Sequence, residues 1–343
     1  MNIPIGEDYI TAVLQQLVQI DSTNPDLHPD NAGEGQIASF LASRCADLGL
    51  EVDLYEVADG RMNVVGTLKG NADGPSLMLN GHMDTVGVEG MDDPFGGKIV
   101  DGRLYGRGAQ DMKGSLAAML AAAKALLAAG VQFKGDLVLA AVADEENESI
   151  GTTHVIQTHP TDAAIVTEPT DMQLCLAHRG LIYYEVKVTG KAAHGSRFDL
   201  GVDAILNMGR FLAELEKLGD ELRQRPSHPL VGPPSLHASL INGGTEISTY
   251  PAECVMQFEW RTIPGESEAE CTGEILAIFE RLAAADPRFK GSVRVFQVRA
   301  PHQVSPQAEI VHVVENAMQA CFGEKPAHAP CRRALLDRRR PAG

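Results

Sequence analysis

Four stretches of the chain carry metal-type ligands, three of them where a strand would end. Leu77-Met78-Leu79-Asn80-Gly81-His82-Met83-Asp84 is an apolar run that closes in a histidine and an aspartate. In an extended chain residues two apart point to the same side. Asp84 could therefore accept a hydrogen bond from one ring nitrogen of His82 while the other binds a metal. A single His-x-Asp is weak evidence and is more often structural. Gly106-Arg107-Gly108-Ala109-Gln110-Asp111-Met112-Lys113-Gly114 is a glycine-rich loop opening a long helix. Such a loop can cradle phosphate, but the spacing is not that of a P-loop. It also reads as a strained segment presenting Asp111, whose carboxylate would gain from the helix dipole and could bridge two metal ions. The plainer alternative makes Asp111 a helix cap.

The strand 136–143 runs into Asp144-Glu145-Glu146-Asn147-Glu148. Acids directly after a buried strand are costly unless something neutralises them. Adjacent carboxylates point in different directions, so one can ligate a metal while its neighbour acts as a general base. A solvated acidic loop is the competing reading. Ala163-Ala164-Ile165-Val166-Thr167-Glu168-Pro169 repeats the arrangement of apolar strand and carboxylate. Ligands in α/β sheets collect at the carboxyl ends of strands, so three such ends together say more than any one.

The elements that must position these residues alternate. Ile10, Val13, Leu14, Leu17 and Val18 form an amphipathic helical stripe that stops at Asp21-Ser22-Thr23-Asn24-Pro25. A helix over 35–48 is capped by Gly49, and one over 113–129 by Gly130. Strands are expected at 51–57, 62–68, 76–80 and 136–143, which makes an α/β layer with a largely buried sheet. From about residue 180 the texture changes. Half-exposed strands at 181–189, 235–241 and 253–262 are separated by helices at 201–218 and 266–285, as in a small α+β domain with one solvated sheet face. A strand at 292–299 and a helix at 307–321 then read as the first domain resuming.

The 343 residues suggest about two domains. Lys plus Arg is 29 against 46 Asp plus Glu, a formal charge of −17. That balance repels phosphate backbones and anionic lipid, which argues against nucleic-acid and membrane-surface roles. Six scattered cysteines form no CxxC pair, so neither a zinc knuckle nor a disulfide framework is indicated. No secretory signal or bilayer-spanning stretch is visible, and a reducing cytoplasm is expected.

GHMDTV, GRGAQDMKG, ADEE and VTEP, in that order, resemble the M20 dinuclear zinc metallohydrolases, which include acetylornithine deacetylase and succinyl-diaminopimelate desuccinylase. The resemblance runs from the first helix to about residue 331. It implies a zinc-exopeptidase-like catalytic domain (1–180 plus 291–343) with an inserted α+β lid and dimerisation domain (181–290). It further implies two zinc ions, with cobalt able to substitute. His82 would bind one ion, Asp111 bridge both, Glu146 bind the second and Glu168 the first. Glu145 would be the general base, Asp84 would orient His82, and the Asp111–Met112 peptide would be cis. A water held between the ions would lose a proton near neutral pH and attack an amide carbonyl, with Glu145 passing the proton to the leaving amine.

Ala193-His194-Gly195-Ser196-Arg197 resembles the family's lid-histidine segment. His194 would stabilise the oxyanion, in dimeric relatives from the opposite subunit. Asn242 and Arg261 resemble substrate-binding elements of the lid. Arg261 suits a substrate carboxylate, though a surface ion pair is the commoner fate of arginine. Strand 181–189 and helix 201–218 offer an edge and an apolar face (Ile205, Met208, Leu212, Leu215) for a homodimer.

The chain departs from the family at its Arg-rich end. Relatives continue past the segment matching Cys331 and supply a closing histidine to the second zinc, so that site is expected to be weakened here. The expected activity is zinc-dependent hydrolysis of an N-acyl amino acid. A dipeptidase or carboxypeptidase, and an impaired remnant that only binds metal, are the alternatives.

Overall fold

The computed structural model describes residues 6–28 and 30–330. They divide into two compact units, one up to Pro169 and one from Thr170 onward. In the first unit the chain runs α1 (Glu7–Gln19), α2 (Gly35–Asp47), β1 (Glu51–Ala58), β2 (Arg61–Leu68), β3 (Leu77–His82), β4 (Lys98–Val100), β5 (Arg103–Tyr105), α3 (Gly114–Ala128), β6 (Leu137–Val142), α4 (Ile150–Thr158) and β7 (Ala163–Val166). Gly49 and Gly130 follow α2 and α3 with positive φ, as expected of helix-ending glycines.

Five strands form one sheet in the order β1-β2-β6-β3-β7. β3 runs parallel to both β6 and β7. All six residues of β6 are buried, as befits the middle of a sheet covered on both faces. Leu17, Ile37, Leu41, Leu116 and Leu120, from α1, α2 and α3, form one core cluster with Leu137 and Leu139. Val65, Met78, Val138 and Ala140 form another with Val155 of α4. The three carboxyl ends that carry ligands in the sequence are thus adjacent in space.

The second unit contains β8 (Leu174–His178), β9 (Leu181–Thr189), α5 (Ala204–Gln224), β10 (Ser235–Gly243), β11 (Glu253–Arg261), α6 (Glu268–Ala285), β12 (Lys290–Arg299), β13 (His302–Gln303), α7 (Glu309–Phe322) and β14 (His328–Pro330). Four strands form an antiparallel sheet in the order β10-β11-β9-β12. The inward residues Ile182, Tyr184, Val186 and Val188 of β9 pack with Met208, Phe211 and Leu215 of α5 and Ile275 and Ile278 of α6. Ser267 and Glu270 close a capping box at the start of α6. β13 and β14 flank β8 in a smaller sheet.

Three expectations change. The strand at 292–299 does not resume the first layer: it is β12, bonded along its length to β9. Strand 181–189 is not an edge, because β11 and β12 cover both its sides; β10 and β12 are the edges. The apolar face of helix 201–218 is largely spent inside the unit. Met208 and Leu215 are buried there, and only Ile205 of the expected outward set is exposed. Period-3.6 spacing marks a face as apolar without saying whether the same chain covers it.

Cys45, Cys254, Cys271 and Cys321 are free thiols. No helix among them is long and apolar enough to cross a membrane. The Arg-rich segment from Cys331 onward lies outside the described residues.

Candidate metal centre

His82 ends β3, Glu145 and Glu146 follow β6, Glu168 follows β7, and Asp111 lies in the wide turn 109–113 before α3. Asp111 is not a cap. Its backbone is non-helical (φ −117°, ψ 101°), α3 takes Lys113 as its N-cap, and the Asp111–Met112 peptide is cis, as the resemblance implies. The Lys113 ammonium is buried and donates to the Ile20 carbonyl at 2.7 Å. Burial lowers its pKa to about 8.

The His82 imidazole is the hub. Its Nε2 lies 3.0 Å from Asp111 Oδ1, 3.5 Å from Glu168 Oε1 and 4.0 Å from Glu145 Oε2. Two sets of donor atoms converge closely enough to hold an ion: His82, Glu145 and Glu168 in one, His82, Asp111 and Glu146 in the other. The imidazole is the one group in either set that can carry positive charge. Burial pulls its pKa down, yet Asp111, Asp84 and Glu168 outweigh burial and hold it well above the usual histidine range. Burial, reinforced by Asp111, Glu145 and Asp84, raises Glu146 to about 7. A half-buried cluster of carboxylates around one imidazole is the donor set of a divalent cation, which relieves that repulsion when it binds. The residues therefore fit a metal pair.

Asp84 meets His82 through its backbone as well as through its carboxylate. The His82 Nδ1 partner is the backbone carbonyl of Asp84 at 2.8 Å, with the Asp84 carboxylate at 3.5 Å. That carboxylate also accepts the backbone amides of Glu145 and Glu146, each at 3.0 Å. Asn24 also donates to it at 2.8 Å.

Beneath the acidic loop lies a buried network that sequence reading missed. Arg61, 4% exposed, donates to both oxygens of Glu34 at 2.8 and 2.6 Å and to Asp144 at 3.2 Å, and it pairs with Asp26. Asn24 appears in the sequence only as part of a helix stop. The available signal was four polar residues, Asp21 to Asn24, with no apolar break.

His194, Asn242 and Arg261 lie in the second unit. His194 is exposed, bridges to Thr249 and shares a hydrogen bond with Ser196 at 2.9 Å. Asn242 is exposed on edge strand β10. Arg261 ends β11 and is paired with Glu259 at 2.7 Å.

Residues 78–336 match the model of peptidase family M20/M25/M40. The chain is 31% identical over 310 residues to acetylornithine deacetylase of Salmonella arizonae, covering 87% of this chain and 79% of that protein. It is 30% identical over 328 residues to the N-formyl-4-amino-5-aminomethyl-2-methylpyrimidine deformylase of Bacillus subtilis, covering 90% and 76%. Its fold is similar to that of the YXEP protein of Bacillus subtilis, described as a dinuclear metal binding peptidase from the M20 family, with TM-score 0.69, 15% identity and coverage of 97% and 83%.

Proposed function

The chain belongs to peptidase family M20/M25/M40, and on that premise we propose that it hydrolyses the amide bond of an N-acyl amino acid with two zinc ions. The observation that carries the reading is the meeting of His82, Glu145, Glu146 and Glu168, from three adjacent strand ends, with Asp111 from the turn before α3. His82, Asp111 and Glu168 would hold one ion, and Asp111 and Glu146 the other. When bound, such a pair supplies Lewis acidity to the amide carbonyl and acidifies the attacking water.

The chain's own residues do the rest. Glu145 takes a proton from the water at a carboxylate oxygen and hands it to the leaving nitrogen. Asp84 fixes that carboxylate by gripping its backbone amide, and the Asp84 carbonyl fixes the tautomer of His82. Both relatives bear names for removing a small acyl group, acetyl in one and formyl in the other, which favours an N-acyl substrate over a dipeptide. Arg261 would receive the substrate carboxylate on leaving Glu259.

The lid is read as beginning at residue 181 and ending with β12. A homodimer would form along β10, where Leu240 and Ile241 are 65% and 56% exposed; Ile205 and Leu206 of α5 are exposed as well. In that assembly His194 would serve the second copy's centre. A cytoplasmic setting suits free thiols and a substrate of this kind.

The test is a panel of N-acetyl, N-formyl and N-succinyl amino acids and dipeptides, assayed with added zinc. Turnover of an N-acyl compound well above every dipeptide is the expected result; dipeptides in the lead would make the protein a peptidase.

A further inference from the structure

The loop that carries Glu145 and Glu146 is held by two carboxylates, and one side chain joins them. Asp84 accepts the amides of Glu145 and Glu146. Asp144 accepts the amide of Glu148 at 3.1 Å through Oδ2. The Asn24 amide nitrogen donates to Asp84 Oδ2 at 2.8 Å and to Asp144 Oδ1 at 3.0 Å. Both of its protons are therefore spent. Its oxygen accepts the amide of Asp26 at 2.9 Å, which fixes the orientation of the group. Asn24, Asp84 and Asp144 are each at most 1% exposed, so water cannot stand in for a lost donor. Asp144 holds a left-handed backbone (φ 63°), a conformation that persists only where its surroundings over-determine it.

We infer that Asn24 is a positioning residue for the Glu145–Glu146 pair, locking the two carboxylates that grip the loop so that adjacent side chains reach the centre in fixed directions. The inference rests on the metal-centre reading above. Asp144 keeps its Arg61 donor without Asn24, but nothing then bridges it to Asp84; the two like charges would separate, and the amides they hold would move with them. Asn24 lies outside the donor sets themselves, so it acts through Asp84 and Asp144 rather than on an ion.

The full chain is compared with Asn24→Asp and Asn24→Ser. Asn24→Asp retains the acceptor for Asp26 and removes both donors; Asn24→Ser keeps one donor and is the milder change. Three quantities are measured: hydrogen exchange of the metal-free protein, zinc affinity by competition with a chromophoric chelator, and kcat and KM on an N-acyl amino acid. Exchange over 144–149 is expected to quicken at least about tenfold while β6 stays protected. Zinc affinity should fall about 10–100-fold, and kcat by at least about tenfold with KM within about twofold. Asn24→Ser should be intermediate, and it carries the test if Asn24→Asp does not fold. Unchanged exchange over 144–149 overturns the inference, as does a loosened loop with wild-type zinc affinity and kcat. Wild-type protein that takes up no zinc and cleaves no N-acyl compound overturns the functional reading instead, and the exchange measurement still decides whether Asn24 holds the loop.

Discussion

Asp84 sits two residues beyond His82, but its carboxylate belongs to Glu145: Oδ1 accepts the Glu145 amide at 3.0 Å, and Oδ2 takes the next amide at the same distance. One side chain thus ties the end of β3 to the loop after β6. Asp84→Asn can accept only one of the two amides and turns a donor toward the other. The orphaned buried N–H should cost about 1–3 kcal/mol, and zinc affinity should drop about 10–100-fold. Thermal unfolding of metal-free protein and a zinc titration measure the two effects. Wild-type values in both would mean that the loop holds itself.

Glu145 and Glu146 are separable by substitution. Glu145→Gln keeps shape and removes the proton acceptor, so kcat should fall about 10²–10⁴-fold with metal content retained. Glu146→Gln should lower metal content. Glu145 also lies in a donor set with His82 and Glu168. Elemental analysis showing that Glu145→Gln, rather than Glu146→Gln, releases metal would reverse the two roles.

Arg61 pairs with Glu34 and Asp144 in the interior and with Asp26 at the surface. Arg61→Met leaves buried carboxylates without their cation and should destabilise the first unit by about 3–5 kcal/mol. Urea unfolding followed by far-UV circular dichroism reads this directly. A loss below about 1 kcal/mol would show that the carboxylates simply take up protons.

Leu240 is central to the proposed pairing along β10. Light scattering should give a homodimer for the wild type and a monomer for Leu240→Lys, since a charge on an exposed edge strand opposes pairing. A wild-type monomer with full activity would remove any role for His194 in a second copy's site.

Glu315 of α7 accepts from Lys325 at 3.0 Å and from His328 at 2.8 Å, with His312 at 3.6 Å. These partners, Lys325 first, lower its pKa from 4.5 to about 2. A depressed carboxylate pKa stabilises the fold above the unfolded value, and that stability is lost as pH falls through the folded one. The Tm advantage of wild type over Glu315→Gln should therefore be full at pH 6 and shrink between about pH 4.5 and 2. A gap that stays constant over that range would mean that the contact works through packing alone.

Much of the site can be read from the chain itself, because what marks it is local. His82, Glu145, Glu146 and Glu168 each follow an apolar run of strand length, and Asp111 precedes a helix that apolar spacing makes plain. Strand placement and the carboxyl-end rule need only neighbours in sequence. The tertiary structure alone decided which strands lie side by side. β12 joins β9 rather than the first sheet, and β9 lies inside its sheet rather than at an edge. It alone decided which polar residues are buried. Asn24 reaches Asp84 and Asp144 across 60 and 120 residues, and Arg61 reaches Asp144 across 83. A buried donor is identified by the acceptor it satisfies, and that acceptor comes near only when strands distant in sequence pair.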